Sequence, residues 1–192
     1  MRRICRLRYG LYSESQNLKI HDITFEFEST AANTRPIMLK SGTKTEIYNA
    51  AFIKCSMNNE HGNAIFAESG IKLLNVHDCQ FKDNKGSGSS VYCLGSPALF
   101  YRNSFSCTSN ATPSGLCIYN CGGQIEVVDC SFTKLQHNRT NSIDYSPLTL
   151  VSNGRDEAFI FSRLTFSDCY GGNLRCFSLQ AYKPFTFINV TV

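Results

Sequence analysis

The sequence predicts an all-β protein: a right-handed single-stranded parallel β-helix, a solenoid of about six coils of roughly 27 residues with three short strands in each. Three observations carry this. A phenylalanine closes a similar segment at positions 25, 52, 81, 105, 132 and 166, and Val192 stands in the same slot. Apolar residues recur at fixed places ahead of each closing residue. The chain is also rich in Phe (14), Tyr (9) and Gly (13), with short apolar runs separated by Asn, Ser and Gly, which favours strands and turns over helices.

The strand before each closing residue comes first. The fifth position back is Ile20, Ile47, Val76, Phe100, Val127, Phe161 and Phe187, and the seventh is Leu18, Thr45, Leu74, Ala98, Ile125, Phe159 and Phe185. Two columns two residues apart describe a strand with one face on a core. The second position back (Ile23, Ala50, Cys79, Asn103, Cys130, Leu164, Val190) reads as mostly inward too. Going from the fifth to the second takes three residues, so the alternation breaks once and the chain turns a corner. The third position back holds Asp22, Asn49, Asp78, Arg102, Asp129, Arg163 and Asn189. Five of the seven are Asp or Asn, residues that tolerate the left-handed backbone such a corner needs.

A further strand lies between consecutive closing segments, at IMLK (37–40), AIFA (64–67), VYCL (91–94), LCIY (116–119), LTLV (148–151) and FSLQ (177–180). Taking Ile37, Ala64, Val91, Leu116, Leu148 and Phe177 as inward leaves Met38, Ile65, Tyr92, Cys117, Thr149 and Ser178 outside. Lys40, Ala67, Leu94, Tyr119, Val151 and Gln180 continue that outer face. Met38, Ile65, Tyr92, Leu94 and Tyr119 then form an outward apolar stripe, the candidate contact face for a protein or glycan ligand. The longest connection, Gln136 to Tyr145, is expected to protrude.

Charge and chemistry narrow the function. A net charge of +4 with 18% charged residues argues against a disordered tail and against a strongly basic nucleic-acid module. Arg2, Arg3, Arg6 and Arg8 read as a solvated basic segment spanning residues 1–17, partly ordered at most, ahead of a β-helix domain over 18–192. No apolar run is long enough to span a bilayer, and no apolar stretch follows the arginines of Met1 to Gly10 as in a secretory signal. Stacked coils place Asp78 and Asp129 two coils apart, about 9.6 Å, with Arg102 between them. That pattern reads as a charge ladder rather than a catalytic acid pair, so no catalytic residue is assigned. His21 and His77 are likewise two coils apart and cannot share a metal ion; no metal or cofactor is expected. The ten cysteines contain no CxxC spacing. Cys79 and Cys130 are too distant to bridge, whereas bridges involving Cys55, Cys107, Cys121, Cys169 or Cys176 stay open. Sequons at Asn110, Asn138 and Asn189 point to glycosylation and an extracellular or cell-surface address. Both chain ends fall within the repeat without a polar cap, which suggests a piece of a longer surface protein or end-to-end self-association.

FKDN at Phe81 to Asn84 and GNAI at Gly62 to Ile65 resemble the FxxN and GGAI motifs of polymorphic outer membrane protein-type surface repeats, among the pectin-lyase-like β-helices. The resemblance implies surface display and adhesion, or in other branches polysaccharide cleavage. The function expected is therefore a non-enzymatic structural or adhesion module. The alternative is a polysaccharide lyase or glycoside hydrolase, active or degenerate.

Overall fold

All seven residues of the corner column adopt left-handed backbone, with φ between 50° and 56° at Asp22, Asn49, Asp78, Arg102, Asp129, Arg163 and Asn189. For an L-residue that conformation costs roughly 1–2 kcal/mol, least for Asn and Asp, which is why those types dominate the slot. The corner takes the chain from one sheet into the next. In the computed structural model, which describes residues 3–5, 11–13, 16–27, 35–57, 62–86, 88–108, 114–120, 122–135, 146–152, 158–169, 177–181 and 184–192, the chain winds through three parallel sheets.

Among the described residues each of these three sheets contains seven strands, and the solenoid makes about five turns, close to the six coils expected. The closing sheet runs from Arg3–Cys5 to Thr165–Ser167, the middle sheet from Leu11–Ser13 to Phe177–Gln180, and the opening sheet from Asn17–His21 to Thr186–Ile188. Every pairing joins a strand to its counterpart one turn away. A two-stranded sheet, Ser56–Met57 with Lys85–Gly86, extends one corner.

Register brings like residues into columns. Phe25, Phe52, Phe81, Phe105, Phe132 and Phe166 are successive partners, and their rings stack with centroids 4.7 to 5.1 Å apart. All six are buried. Burial of each contributes about 1.5–3 kcal/mol and each ring pair roughly 0.5–1.5 more, so this column is the spine of the interior. Ile47, Val76, Phe100, Val127 and Phe161 form a second buried column, and Leu74, Ala98, Ile125 and Phe159 a third.

Asn103 departs from its apolar column. It is buried beside Cys79 and Cys130; its Oδ1 accepts from the Cys79 N–H at 3.0 Å and its Nδ2 donates to the Val76 carbonyl at 2.8 Å. One side chain thus satisfies two backbone groups freed at the bend below. A second left-handed corner follows the closing strand at Lys54, Asp83, Lys134 and Asp168. In FKDN, Asp83 takes that conformation and Asn84 Oδ1 accepts from the Cys55 N–H at 2.9 Å. Gly62 of GNAI is required sterically: with φ 69°, any Cβ there would meet the Ile65 carbonyl at 2.5 Å.

Candidate functional site: the outer faces of the rod

The middle sheet's register is Ile37, Ile65, Val91, Leu116, Leu148 and Phe177 on one face, and Met38, Phe66, Tyr92, Cys117, Thr149 and Ser178 on the other. This corrects the alignment in one coil. Ile65, expected outside, is fully buried, as is Ala67, and Phe66 and Glu68 take their places on the outer face. AIFA has apolar residues at four successive positions, so alternation alone does not choose between its two faces.

With that correction the outer stripe is more aromatic than expected. It begins at Tyr12, which pairs with Met38, and continues through Phe66, Tyr92 and, one step along the strand, Leu94 and Tyr119. Phe66 and Tyr92 stack at 5.5 Å, Tyr92 and Tyr119 at 6.5 Å. The Arg35 guanidinium lies 4.5 Å from the Phe66 ring centroid and the Lys40 ammonium 5.5 Å from that of Tyr12, both cation–π distances. Lys40 also pairs with Glu68. Met38, Phe66, Tyr92, Leu94 and Tyr119 are half-buried and Tyr12 is exposed. Further along the rod the outward positions Cys117, Thr149 and Val151 are buried, whereas over the first coils the described outward positions are half-buried or, at Tyr12, exposed.

The corner carboxylates are paired, not poised. Arg102 donates to both Asp78 oxygens at 2.7 Å, and Arg163 to Asp129 at 2.8 Å. The Arg102 hydrogen bonds, helped by His77, hold the Asp78 carboxyl down at about 2, and Arg163 lowers that of Asp129. A general acid needs the opposite shift.

The opening sheet holds a second outward feature. His21, Tyr48 and His77 stack face to face, at 4.7 and 5.2 Å with planes within 6°. Glu46 lies beside them, 2.9 Å from Lys19 Nζ and 3.5 Å from His77 Nε2, and the hydrogen bond from Lys19 does most to lower its pKa. Next to this row a groove of about 350 Å³ is lined by Asn17, Lys19, Lys44, Glu46, Leu73 and Asn75. No sequence signal marks it, because its lining comes from three coils. Among the described residues no three His, Cys, Asp or Glu side chains are grouped to hold a metal ion.

Cys79 and Cys130 flank Asn103 two rungs apart, and burial pushes the Cys130 thiol up to about 12 and that of Cys55 higher still, so both pack as neutral core residues. Asn189 is exposed on its corner; Asn110, Asn138, Cys121, Cys176 and the 136–145 connection lie outside the described residues. No helix among the described residues is long and apolar enough to cross a membrane.

These features define an all-β parallel solenoid repeat protein. Compared with known proteins, the chain matches no family model, no curated protein and no solved structure.

Proposed function

We propose that the rod is a non-enzymatic display module, working at the cell surface or outside the cell, that holds a protein or glycan partner against the outer face of its middle sheet. The observation that carries this reading is the stripe of Tyr12, Met38, Phe66, Tyr92, Leu94 and Tyr119, held by parallel strands at a fixed repeat and flanked by Arg35, Lys40 and Glu68. Aromatic side chains on a rigid scaffold lose little entropy when a partner covers them, and such anchors dominate binding energy. The arginine-paired Asp78 and Asp129 support binding over polysaccharide cleavage. The resemblance of FKDN and GNAI to motifs of surface-protein repeats, and the three sequons, support the exterior address.

The test is binding of the labelled protein to an immobilised glycan panel and to intact cells. Tyr92→Ser with Tyr119→Ser should weaken whatever binding is seen by about tenfold or more, with an unchanged circular dichroism spectrum. Equal binding by the variant and the parent would refute the middle-sheet face as the contact. Release of oligosaccharides from any panel member would refute the non-enzymatic reading.

A further inference from the structure

The central rings of the middle-sheet stripe have no face to offer a ligand. Phe66 has Tyr92 on the side of the next rung, 5.5 Å between centroids and 11° between planes, and the Arg35 guanidinium from the rung before, 4.5 Å from its centroid. Tyr92 lies between Phe66 and Tyr119, the latter at 6.5 Å and 19°. Tyr119 in turn pairs in register with Val151, which is buried. Inserting a group between two parallel rings needs about 7–8 Å, twice the ordinary carbon contact distance of roughly 3.5–4.0 Å. The gaps of 5.5 and 6.5 Å are too narrow for it.

A sugar ring packs on an aromatic side chain by laying its C–H groups flat on the ring face, and both faces of Phe66 and of Tyr92 are taken. What the stripe presents outward is ring edges, with Met38 and Leu94 beside them. A ring edge is the positive end of the aromatic quadrupole, so it favours carboxylate and carbonyl oxygens and the faces of other aromatic rings. The flanking charges act in the same sense. Arg35 and Lys40 are cations, and the carboxylate of Glu68 is already paired with Lys40. The strands that carry Phe66 and Tyr92 are laddered to a neighbour on both sides, so a partner meets side chains here and cannot add a strand of its own.

We infer that the partner held on this face is a polypeptide whose contacting segment combines carboxylates with aromatic side chains. The inference rests on the middle-sheet contact proposed above and narrows its choice of protein or glycan to protein. The partner's Asp and Glu side chains meet Arg35, Lys40 and the ring edges, and its aromatic rings turn their faces to the edges of Phe66, Tyr92 and Tyr119.

Random dodecapeptides displayed on phage and selected on the immobilised 192-residue chain test this, alongside a panel of neutral and acidic oligosaccharides. Selected sequences should be enriched in Asp and Glu together with Phe, Tyr and Trp. Synthetic copies should bind the parent about tenfold or more tightly than a Tyr92→Ser, Tyr119→Ser variant. Arg35→Gln with Lys40→Gln leaves the three rings in place; it should weaken the same peptides about fivefold and flatten their loss of binding with salt. Copies with Asn and Gln in place of Asp and Glu should bind this second variant and the parent alike. Each comparison uses variants whose circular dichroism spectrum matches the parent's. Neutral or basic winners, no winners, or peptides that bind the Arg35→Gln, Lys40→Gln variant as tightly as the parent overturn the inference. So does an oligosaccharide that binds the parent and not the tyrosine variant, a result that leaves the middle-sheet face itself standing. Probes that bind the parent and the tyrosine variant equally remove that face, and the inference with it.

Discussion

Phe105 sits at the middle of the ring column, 1% exposed, with Phe81 4.7 Å away on one side and Phe132 5.0 Å away on the other. Phe105→Ala removes a fully buried ring and leaves a cavity that rigid neighbouring rungs cannot close, so the expected loss is about 3–5 kcal/mol. For a chain of this length that corresponds to a fall in melting temperature of roughly 6–20 °C. Phe105→Leu keeps most of the volume and loses the two ring contacts, which sets its cost at about 1–3 kcal/mol. Phe25→Ala, with one stacked ring at 5.1 Å, should fall at the lower end, about 3 kcal/mol. Urea unfolding followed by circular dichroism reads all three. Phe81→Ala combined with Phe105→Ala should be non-additive, since the rings touch, whereas Phe25→Ala with Phe132→Ala should add. The reasoning fails if Phe105→Ala costs less than about 1 kcal/mol, or if neighbouring and distant pairs behave alike.

Three other outcomes are expected. Asn103→Ala strands the buried Cys79 N–H and Val76 carbonyl and should cost about 2–4 kcal/mol by urea unfolding, far more than a surface Asn. Asn49, exposed at φ 50°, should tolerate Gly within a few tenths of a kcal/mol, whereas Asn49→Val should cost about 1–2 kcal/mol because a β-branched side chain resists left-handed backbone. The depressed Asp78 pKa ties stability to acid. Between the unfolded value near 4 and the folded value of about 2, the unfolded chain binds the extra proton, so stability falls as pH drops through that window. Arg102→Ala should flatten this fall and move the Asp78 carboxyl upward in an NMR titration; an unmoved titration would show that Arg102 does not set it.

The period, the core-facing columns and the first corner were legible because each rests on a residue type with one physical explanation: apolar side chains two apart, then Asp or Asn where φ turns positive. Arg102 and Arg163 adopt the same φ without any intrinsic preference for it, and only their place in the column gave them away. The second corner escaped notice because Lys54 and Lys134 carry it as often as Asp83 and Asp168 do, and nothing in a lysine announces left-handed backbone. Ile65 was placed on the wrong face for a related reason. The distance from Phe52 to the next strand varies with the corner loop, and the neighbouring Ala64, Phe66 and Ala67 fit either register; only pairing with Ile37 and Val91 decides. The role of Asn103 was likewise invisible, since a polar residue in an apolar column gains meaning only when the unpaired N–H and carbonyl beside it are located.

The hydrogen bonds that join successive rungs all run along the rod axis. Tension applied between the two rims therefore loads these ladders end on, in the direction that opens them one at a time rather than shearing many together. Each rung that peels frees about 27 residues, or roughly 90 Å of extended chain. A tether built this way lengthens in steps under load while the rungs behind the break keep their outer surfaces intact.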